Sequence, residues 1–199
     1  MKRFVDIVVS FLGLLVLLPF LLVLAILVKI GSKGPIIYKQ QRVGLDNLDF
    51  HIYKFRTMYV NSDKKGLITV GDRDPRVTPI GFYLRKLKMD ELPQLFNVLL
   101  GDMSLVGPRP EVRKYVDHYS KDDLEVLKVR PGITDYASIE FRNENEMLKG
   151  AQNPDQKYVE EILPIKLELN KKYIREQNFF TDIKIILATF LSILKLKII

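Results

Sequence analysis

A chain of 199 residues is long enough for one domain with its own core, alone or joined to a membrane element. It contains no cysteine, which excludes disulfides, thiolate catalysis and Cys-ligated metals. The formal net charge of +7 points to anionic partners: phosphorylated substrates, an anionic leaflet or nucleic acid.

Ile7 to Val28 is a run of 22 residues without a charge, interrupted only by Ser10, Gly13 and Pro19. At about 1.5 Å per helical residue it can cross a hydrocarbon core of roughly 30 Å. It is too long for a cleaved signal peptide, and no small-residue cleavage site follows it. Lys2 and Arg3 precede the run while Lys29, Lys33 and Lys39 follow it, so there is no positive-inside asymmetry. Pro19 removes a helix hydrogen bond near the middle and favours a bend. These residues fit a spanning helix and a re-entrant hairpin equally.

Gly31 to Gly34 and Pro35 mark the exit from this segment. Lys39 to Gly44 and Phe50 to Phe55 are predicted as two short strands around an Asp46-Asn47 turn. Lys54 and Arg56, two residues apart, would point the same way, either into solvent or together onto a diphosphate. Asn61 to Pro79 has turn composition, and its charges Asp72, Arg73, Asp74 and Arg76 read as solvated or locally paired. A helix pattern starts at Ile80, with Leu84 and Leu87 on one side and Arg85, Lys86 and Lys88 on the others.

The most informative stretch is Lys88 to Pro110, KMDELPQLFNVLLGDMSLVGPRP. Leu92, Leu95, Phe96 and Leu99 have helical spacing, and Pro93 fits the first helical position, where no N–H is needed. Asp90 and Glu91 would then stand just ahead of a helix N-terminus, whose dipole favours carboxylates and phosphate. The alternative is an acidic first turn on a surface helix. Pro108 and Pro110 fix the backbone around Arg109, which would present its guanidinium on a rigid loop for a nucleotide or phosphate; a plain turn is the alternative.

Glu111 to Val129 is predicted as a helix, Phe141 to Asn153 as an irregular connection, and Asp155 to Gln177 as a helix that Pro164 must interrupt. His51 and His118 have no second histidine at metal-ligand spacing, so packing or surface roles are expected. Thr181-Asp182 reads as the cap of a last helix with a polar stripe of Lys184, Ala188, Ser192 and Lys195. Its charge-free run from Ile185 to Leu194 is too short to cross a bilayer. It fits a helix lying in the membrane interface, and also a core helix or a homodimer face.

DELPQLFNVLLGDMSLVGPRP resembles the signature of the bacterial sugar transferases, the small monotopic phosphoglycosyl transferases. Further fragments occur in that family's order: KRFVDIVVS, GPIIYKQQRVG, YKFRTM, GDRDPRVTPIGFYLRK, VRPGIT and DIKIILATF. The resemblance implies an α+β fold, mainly helical with a short β-hairpin, an N-terminal re-entrant membrane helix kinked at Pro19, and interfacial amphipathic helices. It divides the chain into a membrane segment (1–33), a cytoplasmic catalytic domain (34–180) and a terminal interfacial helix (181–199).

The resemblance further implies transfer of a phospho-sugar from a UDP-sugar to undecaprenyl phosphate on the cytoplasmic face of a bacterial inner membrane, with no nucleic acid partner. Asp90 matches the nucleophile that carries the sugar phosphate while UMP leaves, and Glu91 is the candidate ligand for Mg²⁺. Lys54 matches the active-site lysine of YKFRTM, Arg85 an arginine ahead of the carboxylate pair, and Pro108, Arg109 and Pro110 the substrate loop. Three departures stand out. Leu18 replaces a serine before Pro19, Lys88-Met89 replaces Ser or Thr followed by Leu, and Asp135 follows RPGIT where Gly is common, which implies altered sugar selectivity. A membrane-tethered basic module that binds anionic lipid or nucleic acid would explain the charge, but not the Asp-Glu pair or Pro-Arg-Pro.

Overall fold

The computed structural model describes residues 1–62, 69 and 74–193. Asp72, Arg73 and Lys195 lie outside them, whereas Asp74 and Arg76 pair locally, with Nη2 2.7 Å from Oδ2.

Lys2–Gly31 forms one helix, α1, with Pro19 inside it. Asp6, Ser10, Leu14, Leu21, Leu24 and Val28 are buried and recur at steps of three, four and seven, which is one helical face. The opposite face exposes Leu12, Leu15, Val16, Val23 and Ile26. At one end of α1, Arg3 donates to the carbonyls of Val98 at 2.6 Å and Leu99 at 3.1 Å. Gly13 lies against Leu95 in the middle, and at the far end the Val28 carbonyl accepts from Arg56 at 3.3 Å. The helix therefore lies along the rest of the chain instead of standing away from it.

The predicted hairpin forms as β1 (Ile37–Val43) and β2 (Asp49–Phe55), antiparallel, with Asp46 and Asn47 in left-handed conformations at the turn. Helix α2 (Pro79–Lys86) starts on Thr78, whose hydroxyl accepts from Gly81 N–H at 2.9 Å. Helix α3 (Gln94–Leu100) ends on Gly101 at φ 99°, a left-handed cap that glycine adopts freely. Leu92, Leu95 and Leu99 pack on α1 as the spacing implies, but Phe96 is exposed.

Strands β3 (Ser104–Val106) and β4 (Gly132–Thr134) form a parallel pair that no local pattern announced. A Cβ at Gly132 would come within 2.1 Å of the Gly107 nitrogen, so the two segments meet backbone to backbone.

Three expectations are corrected here. Instead of one helix, 111–129 holds a short α4 (Arg113–Val116) and a 3₁₀ turn (Asp123–Lys128). Ser120 and Asp123 cap each other, Ser120 N–H to Oδ2 at 3.0 Å and Asp123 N–H to Oγ at 3.2 Å, which starts the second turn afresh. The stretch read as irregular contains α6 (Glu144–Met147), preceded by α5 (Tyr136–Glu140) on an Asp135 cap.

Helix α7 (Pro154–Lys157) continues through a π turn (Tyr158–Ile162) into α8 (Leu163–Glu176), and Pro164 sits in the first turn of α8, so the interruption occurs where expected. The last helix, α9 (Phe179–Ile193), is the third correction, because Asn178 caps it by accepting from Thr181 N–H at 3.0 Å. Asp182 instead accepts from Lys2 and Tyr173. Ile185 of α9 is buried while Phe179, Phe180, Leu187 and Phe190 are exposed.

Candidate active site

Asp90 and Glu91 occupy a 3₁₀ turn of their own (Met89–Glu91) between α2 and α3. Pro93 is the cap of α3, one position earlier than the sequence implied. Lys88 enters the turn in a left-handed conformation at φ 56°, unusual for a residue with a side chain, and this reversal aims Asp90 inward.

Helix α3 is fixed by Asn97, which is fully buried. Its Oδ1 accepts from Tyr53 N–H at 2.9 Å and its Nδ2 donates to the His51 carbonyl at 2.7 Å, which satisfies the unpaired edge of β2. Lys54, the next residue on β2, thereby stands over Glu91, with Nζ 3.0 Å from Oε1. Arg109 grips the same carboxylate from the other side: Nη1 donates to Oε2 at 3.0 Å and Nη2 to Oε1.

The two adjacent carboxylates are in different electrostatic states. Burial by itself would raise Glu91, but Arg109 and Lys54 override it and hold the carboxyl well below its usual range. Asp90 is only 7% exposed, and its Oδ1 has no hydrogen-bond partner. Burial and then neighbouring Glu91 push the Asp90 carboxyl up, against the opposing fields of Lys54, Arg85 and Lys88. Burial lowers Lys54 to about 8. One carboxylate is thus paired with two cations, and the other is buried with its Oδ1 lacking a hydrogen-bond partner.

The Pro-Arg-Pro loop is held at three successive backbone groups. The Pro108 carbonyl accepts from Gly132 N–H at 3.0 Å, Arg109 N–H donates to Asp135 Oδ2 at 3.0 Å, and the Pro110 carbonyl accepts from Arg42 at 3.1 Å. The Arg85 side chain makes no hydrogen bond or ion pair among the described residues and lines the same cavity. Arg56 does not join Lys54 over the carboxylates. It lies past the end of β2, is buried, and donates to the carbonyls of Val28 and Ser32, closing the C-terminus of α1. A cavity of about 1010 Å³ opens over Lys54, Arg85, Asp90, Glu91 and Arg109, room enough for a nucleotide-sized ligand.

The model of the bacterial sugar transferases matches residues 1–196. The chain belongs to that family. It is 39% identical over 97% of its length to the UDP-N-acetylgalactosamine-undecaprenyl-phosphate N-acetylgalactosaminephosphotransferase of Aeromonas hydrophila, of which it covers 43%. It is 38% identical over 95% of its length to the UDP-glucose:undecaprenyl-phosphate glucose-1-phosphate transferase of Escherichia coli, covering 39% of that protein. A transferase of the same name from Caulobacter vibrioides is 36% identical over 97% of this chain and 69% of its own length. The chain thus spans about two fifths of the first two relatives.

Asp90 and Glu91 are the residues that would hold Mg²⁺, an ion that takes one or two carboxylates together with phosphate oxygens and water. Asp90 Oδ1 is unpartnered, and Glu91 is held ionised. Among the described residues no cluster of three or more His, Asp or Glu offers a cage made of protein alone, and neither His51 nor His118 belongs to one. Sequence reasoning missed Asn97, Arg42 and the role of Asp135. All three act through contacts between segments far apart in the chain, and only Asp135 carried a signal, as a departure from the family pattern.

Proposed function

We propose that the chain transfers a sugar phosphate from a UDP-sugar to undecaprenyl phosphate at the cytoplasmic face of a bacterial inner membrane. The names of the relatives support the substrates, and the observation that carries the chemistry is the unpartnered Oδ1 of buried Asp90 beside a neutralised Glu91.

The Asp90 carboxylate attacks the β-phosphorus of the donor, forming an acyl phosphate bond while the bond to UMP breaks. An oxygen of the lipid phosphate then attacks the same phosphorus, and Asp90 leaves as the carboxylate with both electrons of its bond. Throughout, the chain's own work is positioning and charge balance. Arg109 and Lys54 border the diphosphate and keep Glu91 anionic, while Arg85 offers an unpaired cation on the Asp90 side. Glu91 is the residue that would hold a Mg²⁺ ion, which would supply further neutralisation of the transferring group.

The proposal includes a monotopic topology, with α1 re-entrant and both its ends on one face. What supports this is the contact of Arg3, Gly13 and Val28 with one and the same domain, together with basic residues at both ends. The exposed Phe179, Phe180, Leu187 and Phe190 of α9 would rest in the membrane interface. The test is a screen of UDP-sugars with undecaprenyl phosphate, reading UMP. Lipid-linked product and stoichiometric UMP from one donor are expected; a folded, membrane-bound preparation that releases UMP from no UDP-sugar would overturn the reading.

A further inference from the structure

Asp135 is 0% exposed, yet it carries a carboxylate, and the chemistry proposed above leaves it without a task. Both its oxygens are used. Oδ1 accepts from Ser138 N–H at 2.6 Å and so caps α5, while Oδ2 accepts from Arg109 N–H at 3.0 Å. The cap would need one acceptor only, and serine or threonine could supply it. The second oxygen reaches across 26 positions of sequence to the backbone of the one residue that forks onto Glu91.

The surroundings give that bond leverage. On either side of Arg109, the Pro108 and Pro110 carbonyls are bound by Gly132 N–H and by Arg42, so the Arg109 N–H is the middle of three anchors. Proline donates no N–H, so Asp135 holds the only amide that Pro108-Arg109-Pro110 can donate. Remove that acceptor and a buried donor is left unsatisfied at the point from which the guanidinium is aimed.

We propose that Asp135 is the positioning residue for Arg109, fixing the backbone from which the guanidinium meets Glu91 and the diphosphate of the UDP-sugar. This rests on the reading that Arg109 engages the donor. Asp135 does not touch substrate; its effect is confined to how well Arg109 is preorganised. Its oxygens are turned to the backbone, whereas a direct hand in sugar selectivity, expected from sequence at this position, would need one of them on the donor.

The test uses the full chain in detergent or lipid discs. Asp135→Ser keeps a cap for α5 but has no second oxygen, so a melting temperature near wild type is expected. Its KM for the UDP-sugar should rise by about tenfold, with kcat at saturating donor close to wild type. Arg109→Ala placed in the Asp135→Ser chain should then add little beyond Arg109→Ala alone, since both act through one guanidinium. Asp135→Asn, which keeps the shape of the side chain, serves for the same readouts if the serine variant does not fold. A folded variant with wild-type KM, or penalties that multiply in the double variant, would overturn the proposal. If Arg109→Ala raises KM while Asp135→Ser leaves it unchanged, the proposal alone fails; a wild-type KM in Arg109→Ala sinks the donor reading with it.

Discussion

Lys54 stands 3.0 Å from Glu91 at the end of a strand that Asn97 ties to the helix following the carboxylates, and burial brings its ammonium down to about 8. As pH rises through that value the lysine loses its proton, and Glu91 keeps only Arg109 as a partner. The donor would then meet one cation fewer. On the acid side Asp90, pushed up by burial, must be ionised to act as a nucleophile. The profile of kcat/KM for the UDP-sugar is therefore expected to be bell-shaped, with its alkaline limb near 8. Lys54→Arg, whose side chain stays charged, should move that limb upward. Coincident alkaline limbs in the two proteins would show that Lys54 is not the group titrating.

Asp90→Asn is expected to abolish UMP release, because an amide is a poor nucleophile and cannot carry an acyl phosphate. Wild-type enzyme incubated with UDP-sugar alone should gain the mass of one sugar phosphate on the peptide containing Asp90, with ping-pong kinetics. Glu91→Gln should be severely impaired and partly recovered by raised Mg²⁺. Active enzyme with sequential kinetics and no adduct would remove Asp90 from the covalent role.

Arg56 should separate from Lys54 in its phenotype. Its guanidinium binds the carbonyls of Val28 and Ser32, so Arg56→Ala is expected to loosen the end of α1 and to cost on the order of 1.5 to 3 kcal/mol. A lower melting temperature with near-normal KM for the donor is the expected pair of readings. Unchanged stability with a raised KM would place Arg56 on the diphosphate after all.

The topology of α1 can be read with thiol reagents, since the chain has no cysteine of its own. A cysteine in a short tag ahead of Met1 and a second at Lys33 should both resist a membrane-impermeant reagent added to cells with a permeabilised outer membrane. Both should react after lysis. Labelling of one position alone in intact cells would mean a spanning helix.

Local pattern carried much of the fold. The apolar run of α1, the turn at Asp46-Asn47, the leucine spacing of α3 and the break at Pro164 all follow from periodicity or backbone chemistry that neighbouring residues decide among themselves. The adjacency of Asp90 and Glu91 and the rigid placing of Arg109 between prolines were also plain in the chain, because they need no distant partner to be recognised.

Which cation serves which carboxylate was decided by the tertiary structure. Alternation along β2 put Lys54 and Arg56 on one face, but the strand stops at Phe55, and the unsatisfied carbonyls at the end of α1 drew Arg56 away. Periodicity says nothing about a parallel pairing between 104–106 and 132–134, yet that pairing sets Asp135 behind Arg109. The split between a doubly paired Glu91 and a buried Asp90 whose Oδ1 is unpartnered likewise depends on burial and on charges arriving from β2 and the Pro-Arg-Pro loop. Only long-range packing fixes those quantities, since the field at a carboxylate is set by distance in space and not by order along the chain.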